Sequence, residues 1–176
     1  DRAEPRPRPP RLTPALAGCC IPAMPQLTLH SPLGELTLSE EDGAIVALDW
    51  GRGRDQEPTP LLRAAADQLH DYFDGERTSF QLPLAPHGTP FQRRVWDALC
   101  RIPAGETRSY IAVARELGTA ARAVGQANGR NPIPIIIPCH RVVGTQGPGG
   151  YSGEGGLDTK RFLLELEARS LSGNPS

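Results

Sequence analysis

Cysteine is scarce in this sequence of 176 residues, occurring only at Cys19, Cys20, Cys100 and Cys139. Four thiols, two of them adjacent, are too few for a disulfide framework in a chain of this length, and no secretory-type apolar segment accompanies them. A reducing, intracellular setting, the cytoplasm, is therefore expected, with at least one thiol free. No stretch approaches the ~18 consecutive apolar residues of a transmembrane helix, so a membrane-spanning helix is excluded and no membrane partner is expected. Aromatic residues make up 5% of the chain, compatible with a soluble globular protein. Lysine occurs once, at Lys160, and methionine once, at Met24. The length suits one ordinary domain or two small ones.

The net charge of −1 conceals an asymmetry. Residues 24–90 carry four arginines against eleven acidic residues, a local net of −7, whereas residues 91–141 carry eight arginines against three, a local net of +5. A polyanion-facing surface confined to the second half would account for this, and so would ordinary solvated charge.

Residues 1–23 are dense in proline and arginine and cannot bury enough apolar surface to fold, so a disordered extension is expected there. Proline at this density also forbids the amphipathic helix of a transit peptide, and the native start is expected at Met24. From Gln26 the pattern has period two. "QLTLHS" and "ELTLSE" alternate leucine with polar residues across "PLG", and "GAIVALDW" (43–50) supplies a third strand. Helical spacing follows in "PLLRAAADQLHDYFDGE", with Leu61, Leu62, Ala65, Leu69, Tyr72 and Phe73 on one face and Gly75 as the stop. Nothing in this first domain, residues 24–85, looks catalytic. "LPLAPHGTP" (82–90) reads as a linker.

The second domain, residues 86–170 with a short tail to 176, opens on a helix with Thr89 as N-cap and Pro90 at its first position. Phe91, Val95, Trp96, Leu99 and Ile102 form its apolar set. Two short helical units, "SYIAVARELG" (109–118) and "AARAVGQANG" (120–129), meet at Gly118–Thr119 and suggest a helix-turn-helix. The second unit is nearly bare, with Arg122 as its one long projection. Its glycines, 125 and 129, cost about 1 kcal/mol each against alanine in a helix interior. Such slimness serves close approach, either to another helix or to a DNA groove, the minor groove being the narrower.

"IPIIIPCHRVV" (133–143) delivers Cys139, His140 and Arg141 in succession. A buried structural thiol is one reading of Cys139. A metal ligand is a second, but His30, His70, His87, His140 and the four cysteines show no C-x₂₋₄-C or H-x₃₋₅-H spacing. A nucleophile is the third. A free thiol has a pKa of about 8.5 and needs a base or a positive field to ionise at neutral pH, which His140, directly or through water, and Arg141 could supply. Neighbours on a strand point to opposite faces, so the pair can share a cavity only if the chain bends at Pro138.

"NPIPIIIPCHRVVG" (131–144), preceded by "GETRSYIAVARELGTAARAVGQANGR" and followed by "GYSGEGGLDTKRFLLELE", resembles the O6-alkylguanine-DNA alkyltransferases, single-use DNA repair proteins. The likeness is dense from Phe91 to Glu167 and thinner over the sheet domain from Met24. It implies an α/β protein of the α+β kind: a small N-terminal ribonuclease-H-like sheet domain and a C-terminal helical, winged-helix-like domain with a helix-turn-helix. It implies that Cys139 takes the alkyl group from O6 of a guanine flipped out of double-stranded DNA, irreversibly, with O4-alkylthymine left open as a second substrate. His140 would act as base through a water and Glu167 would orient the imidazole. Tyr110 would help extrude the nucleotide and donate a proton to the leaving guanine. Arg122 would fill the gap in the base stack, with Ala121 and Gly125 against the minor groove. Asn131 would fix the turn after the recognition helix, while Val142 (through its carbonyl), Tyr151 and Ser152 would line the base pocket. No cofactor is implied; the zinc that some relatives carry in the sheet domain finds no matching ligand set here among His30, His87, Cys19 and Cys20, so no metal is expected, and a monomer is expected.

Two departures stand out. The loop "SGEGGLDT" is about two residues longer than the shortest family versions, which blurs Ser152, and Leu166 stands where some relatives have histidine. Other readings fit less of the chain. An alkyltransferase-like binding protein would lack the thiol at position 139, and a transcriptional regulator would leave Cys139, His140 and Glu167 unexplained. A cysteine hydrolase finds no partner motif.

Overall fold

A computed structural model describes residues 24–54, 56–145 and 155–173. Residues 1–23, and with them Cys19 and Cys20, lie outside the described residues, as do Tyr151 and Ser152. The expectations attached to them stay there.

The alternating leucines build an antiparallel three-stranded meander, β1 (Gln26–Ser31), β2 (Gly34–Glu41) and β3 (Ala44–Trp50). Leu27 pairs with Leu38 and Leu29 with Leu36, so one leucine row faces the core. The β2–β3 turn is Asp42–Gly43, with φ of 51° and 76°. Two consecutive positive φ values are what a tight hairpin turn requires, and Asp-Gly tolerates them. The pairing slips between Ser39 and Glu40, leaving Val46 as an extra residue on β3. Ile45 and Val46, neighbours in sequence, are accordingly both buried.

Helix α1 (Pro60–Phe73) packs across the sheet. Thr59 caps it by accepting from the Leu62 N–H, Pro60 occupies its first position, and Gly75 (φ 78°) turns the chain away after it. Its buried stripe is Leu62, Ala65, Ala66, Leu69, Tyr72 and Phe73. Leu61, expected on that stripe, is only half-buried, and Ala66 lies there instead.

Residues 82–90 are more than a tether. The Ile45 N–H donates to Pro83 O at 2.9 Å and the Ala85 N–H to Ile45 O at 2.9 Å, so the segment lies along the β3 edge and covers part of it. Helix α2 (Pro90–Cys100) then starts on a capping box, Thr89 with Gln92. Val95, Trp96, Ala98 and Leu99 are buried and Phe91 is half-buried, while the Trp96 indole N–H donates to Ala127 O at 2.9 Å. That bond fixes α2 to α4.

The helix-turn-helix is present. Helix α3 (Tyr110–Leu117) is capped by Ser109 and ended by Gly118, whose φ of 67° needs a residue without a Cβ penalty. Helix α4 (Ala121–Gly129) follows and packs on both α2 and α3. Before α3, β4 (Arg108–Ser109) pairs in parallel with β5 (Val142–Val143). This short ladder brings the start of α3 beside the chain just after Cys139. The final helix, α5 (Gly156–Leu171), buries Thr159, Lys160, Leu163, Leu166 and Glu167. Lys160 and Glu167 are two turns apart, so both face the same side. One continuous apolar core joins the sheet, α1 and the C-terminal helices.

Candidate active site

Cys139 sits at the end of a braced peg. Asn131, just beyond α4, spans the segment from inside: its amide donates to Ile137 O at 2.9 Å, and its Oδ1 accepts the Ile133 N–H at 3.0 Å. The Ile137 N–H closes on Ile133 O at 2.9 Å, and the Leu48 N–H of β3 donates to Pro132 O at 2.9 Å. The sheet domain thus holds the peg from outside. Ile133, Ile135, Ile136 and Ile137 are all buried. Ile135 has φ of 72°, a left-handed conformation that costs a β-branched residue roughly 1–3 kcal/mol and persists only where its surroundings impose it.

Pro138 makes the bend. Its φ of −79° and ψ of 66° form an inverse γ-turn, and the Cys139 N–H donates across it to Ile137 O at 2.8 Å. A single 3-10 turn, Cys139–Arg141, follows. Cys139 and His140 therefore leave a helical turn and not a strand, so their side chains are about 120° apart and not on opposite faces.

Glu167 organises what lies behind the thiol. Its Oε1 is 2.6 Å from His140 Nε2, and it also accepts from the Tyr72 hydroxyl at 2.8 Å and from Arg141 Nη2 at 2.8 Å. Its Oε2 accepts from Arg141 Nε at 3.0 Å, and Arg141 Nη1 donates to Ile102 O at 2.6 Å. Burial pushes the Glu167 carboxyl up, but the hydrogen bonds and charges of His140 and Arg141 outweigh it and hold its pKa at about 2. An ionised carboxylate can only accept, so His140 Nε2 carries the proton it donates. Burial lowers the His140 pKa against the pull of Glu167, leaving the imidazole neutral. Nδ1 is then the basic nitrogen. It is fully buried and has no hydrogen-bond partner among the described residues.

The thiol is buried, and that burial raises its pKa. The Asn131 amide, the Lys160 charge and the backbone N–H groups of Cys139 and Ile135 pull the other way without overcoming it. Cys139 thus rests as a neutral thiol that needs a base, and the nearby base is neutral His140. The cation acting on Cys139 is Lys160, whose ammonium donates to Val142 O at 2.6 Å from within the core. The charge of Arg141, expected to assist the thiol, is instead directed at Glu167. The Val142 carbonyl accepts from Lys160.

Tyr110 begins α3 and its hydroxyl stays protonated: burial raises its pKa, and a charge on Cys139 would raise it further, against a hydrogen bond from Asn128. Asn128, on the inner face of α4, also donates to Cys139 O at 3.3 Å. Outward, Ala121, Arg122, Gly125 and Gln126 line a shallow open concavity with the Tyr110 ring. Among the described residues the glycines of α4 serve no close packing. A Cβ on Gly125 would meet only the Tyr110 ring, at an ordinary 3.9 Å, and one on Gly129 would meet nothing within 4 Å. Among the described residues no helix uses the slim face, and Arg122 stands exposed on it.

The structure therefore gathers Cys139, His140, Glu167, Asn131 and Val142 at one place, with Tyr110, Ala121, Arg122 and Gly125 on the adjoining face. Sequence reading passed over Lys160, Asn128 and Tyr72. The first domain does reach the site, through Tyr72. That Lys160 is the only lysine, in a chain that otherwise uses arginine, was the one signal available in advance.

This arrangement matches a known family. Residues 26–86 match the model for the 6-O-methylguanine DNA methyltransferase ribonuclease-like domain, and residues 90–169 match that for the DNA binding domain of the same proteins. The chain is 47% identical over 154 residues to the constitutive methylated-DNA–protein-cysteine methyltransferase of Bacillus subtilis, covering 80% of this chain and 93% of that protein. It is 50% identical over 151 residues to the methylated-DNA–protein-cysteine methyltransferase of Mycobacterium tuberculosis, covering 80% and 90%. Among solved structures, the Mycobacterium tuberculosis OGT in complex with DNA superposes with a TM-score of 0.74 at 47% identity, over 82% of this chain and 93% of that one. The chain belongs to the 6-O-methylguanine DNA methyltransferase family.

Proposed function

We propose that this protein repairs DNA by direct reversal, moving the alkyl group of O6-alkylguanine onto its own Cys139, one lesion per molecule. The observation that carries the reading is the buried bond between Glu167 and His140 Nε2, which leaves Nδ1 as the neutral, basic nitrogen of the residue that follows a thiol kept protonated by burial. The thiol proton passes through a water to His140 Nδ1. The sulfur attacks the alkyl carbon, forming an S–C bond as the C–O6 bond breaks, and the electron pair of that bond leaves with the guanine. Tyr110 supplies the proton that neutralises the departing base. A thioether has no easy hydrolysis, so the thiol is not regenerated and no cofactor is called for.

DNA would dock through the slim face of α4 in the minor groove, with Ala121 and Gly125 against the groove walls. Arg122 would replace the flipped nucleotide in the stack. Flipping requires a few kcal/mol, least for a damaged or mispaired base, which favours the lesion. Phosphate contacts would dominate binding, so affinity should fall with salt and depend little on sequence. The protein would act as a monomer. Among the described residues no helix is long and apolar enough to cross a membrane.

The test is stoichiometric. Titration with duplex carrying labelled O6-methylguanine should saturate at one methyl per protein, and undamaged duplex should transfer none. Continued turnover beyond one equivalent would refute the scheme.

A further inference from the structure

The Tyr72 hydroxyl donates to Glu167 Oε1 at 2.8 Å across 95 residues of sequence, and both side chains are about 1% exposed. We propose that Tyr72, carried by α1 of the sheet domain, is a positioning residue for alkyl transfer: its hydroxyl holds the carboxylate oxygen that orients His140. The inference rests on the reading of His140 as the base.

Two features separate this contact from incidental packing. The phenol ring is held independently of its hydroxyl, edge-on to Phe73 at 5.4 Å between centroids and tilted against Phe80 at 5.3 Å. The hydroxyl is thus presented by a fixed ring. It also meets Oε1, the oxygen shared with His140 Nε2, while Arg141 covers Oε2 and one side of Oε1. A carboxylate oxygen offers about two lone pairs in its plane. With donors from three residues gathered on it, the direction left to the imidazole is narrow, and the orientation of Nδ1 follows from it.

The hydroxyl also sets how strongly Glu167 draws on the imidazole. A neutral donor stabilises the carboxylate without adding charge, so Oε1 pulls less on the Nε2 proton. Among the described residues, the ionisable groups that act on the pair are Arg141 on the same turn, Lys160 on α5 and Tyr72 on α1. Arg141 and Lys160 disfavour an imidazolium by their charge. Tyr72 acts in the same direction by weakening the attraction of Glu167. Without its hydroxyl the imidazolium becomes easier to form, and Nδ1 loses its lone pair at a higher pH. The sheet domain would in this way keep the base of the other domain neutral.

Single-turnover transfer from an O6-methylguanine duplex, followed against pH over the range where the protein stays folded, tests this. Tyr72→Phe keeps the ring and removes the donor. The acid limb of its profile should move to higher pH by about one unit, with affinity for undamaged duplex unchanged. Tyr72→3-fluorotyrosine, a stronger donor of nearly the same shape, should move the limb the opposite way, and it decides the matter if the Phe variant does not fold. A uniform loss of rate with an unmoved limb in these variants would reduce Tyr72 to packing and overturn the inference. Glu167→Gln in parallel separates the two claims. If it retains the rate of the unaltered protein, the relay itself fails. If it is slow while Tyr72→Phe leaves the limb in place, only the role of Tyr72 fails.

Discussion

Glu167 Oε1 lies 2.6 Å from His140 Nε2 in a site closed to solvent, and that contact decides which imidazole nitrogen is basic. Glu167→Gln replaces a charged acceptor with a neutral amide and leaves Arg141 buried without its counter-charge. Transfer to Cys139 should slow by about a hundredfold or more, the usual worth of a positioned base. Stability should fall by about 3 kcal/mol, as when one partner of a buried ion pair is removed. Single-turnover rates and denaturant melts check both. A variant of unaltered rate would remove Glu167 from the chemistry.

Acid should destabilise this protein well before ordinary carboxylates titrate. The His140 pKa is lowered in the fold, so below about 6.5 the unfolded chain takes up a proton that the folded one refuses. Glu167 adds to this lower down. Its folded pKa of about 2 lies below the ordinary 4.5, so its contribution, about 3 kcal/mol, is complete above that value and lost as pH falls toward 2. Denaturation midpoints should therefore decline from near pH 6.5 downward. The transfer rate should show no midpoint at 6.5, because the folded imidazole is still neutral there. A midpoint at that pH would mean that a solvent-like histidine is the base.

Lys160→Met removes the cation that favours the Cys139 thiolate while keeping the length of the stem. The pH midpoint for alkylation of Cys139 by iodoacetamide should rise by about one unit. An unmoved midpoint would show that the Lys160 charge does not reach the sulfur.

Gly125→Ala separates folding from DNA docking. Its Cβ has room in the free protein, and alanine improves a helix interior by up to about 1 kcal/mol. The variant should melt at a higher temperature yet repair duplex DNA more slowly, while free O6-benzylguanine still reacts. Arg122→Ala should show the same split between substrates without the added stability. Equal losses on duplex and free base would place neither residue at the DNA.

Much of this molecule was legible from local pattern. Leucine alternation marked β1 and β2, Thr89–Pro90 the start of α2, and Gly118 the turn before α4, because each is decided by near neighbours in the chain. The peg was legible as an apolar run, but its shape was not. The positive φ of Ile135 is imposed by packing, and nothing in a run of isoleucines announces it. Tyr72 was hidden more deeply. As a residue on the apolar stripe of α1 it reads as core, and its ring is core, while its hydroxyl is used by a carboxylate 95 positions away. Arg141 is hard to place for a related reason: adjacency in sequence points it at Cys139, but the turn after Pro138 sends the guanidinium to Glu167. The segment 82–90 was legible as irregular chain, yet its bonds to Ile45 depend on a strand edge that only the folded sheet presents.

The most direct measurement is the mass of the peptide containing Cys139 after incubation with an oligonucleotide carrying O6-methylguanine. The account predicts the mass of one added methyl on that peptide, and none anywhere in the Cys139→Ala variant. An intact protein that binds the damaged duplex and leaves the Cys139 peptide unchanged would contradict it.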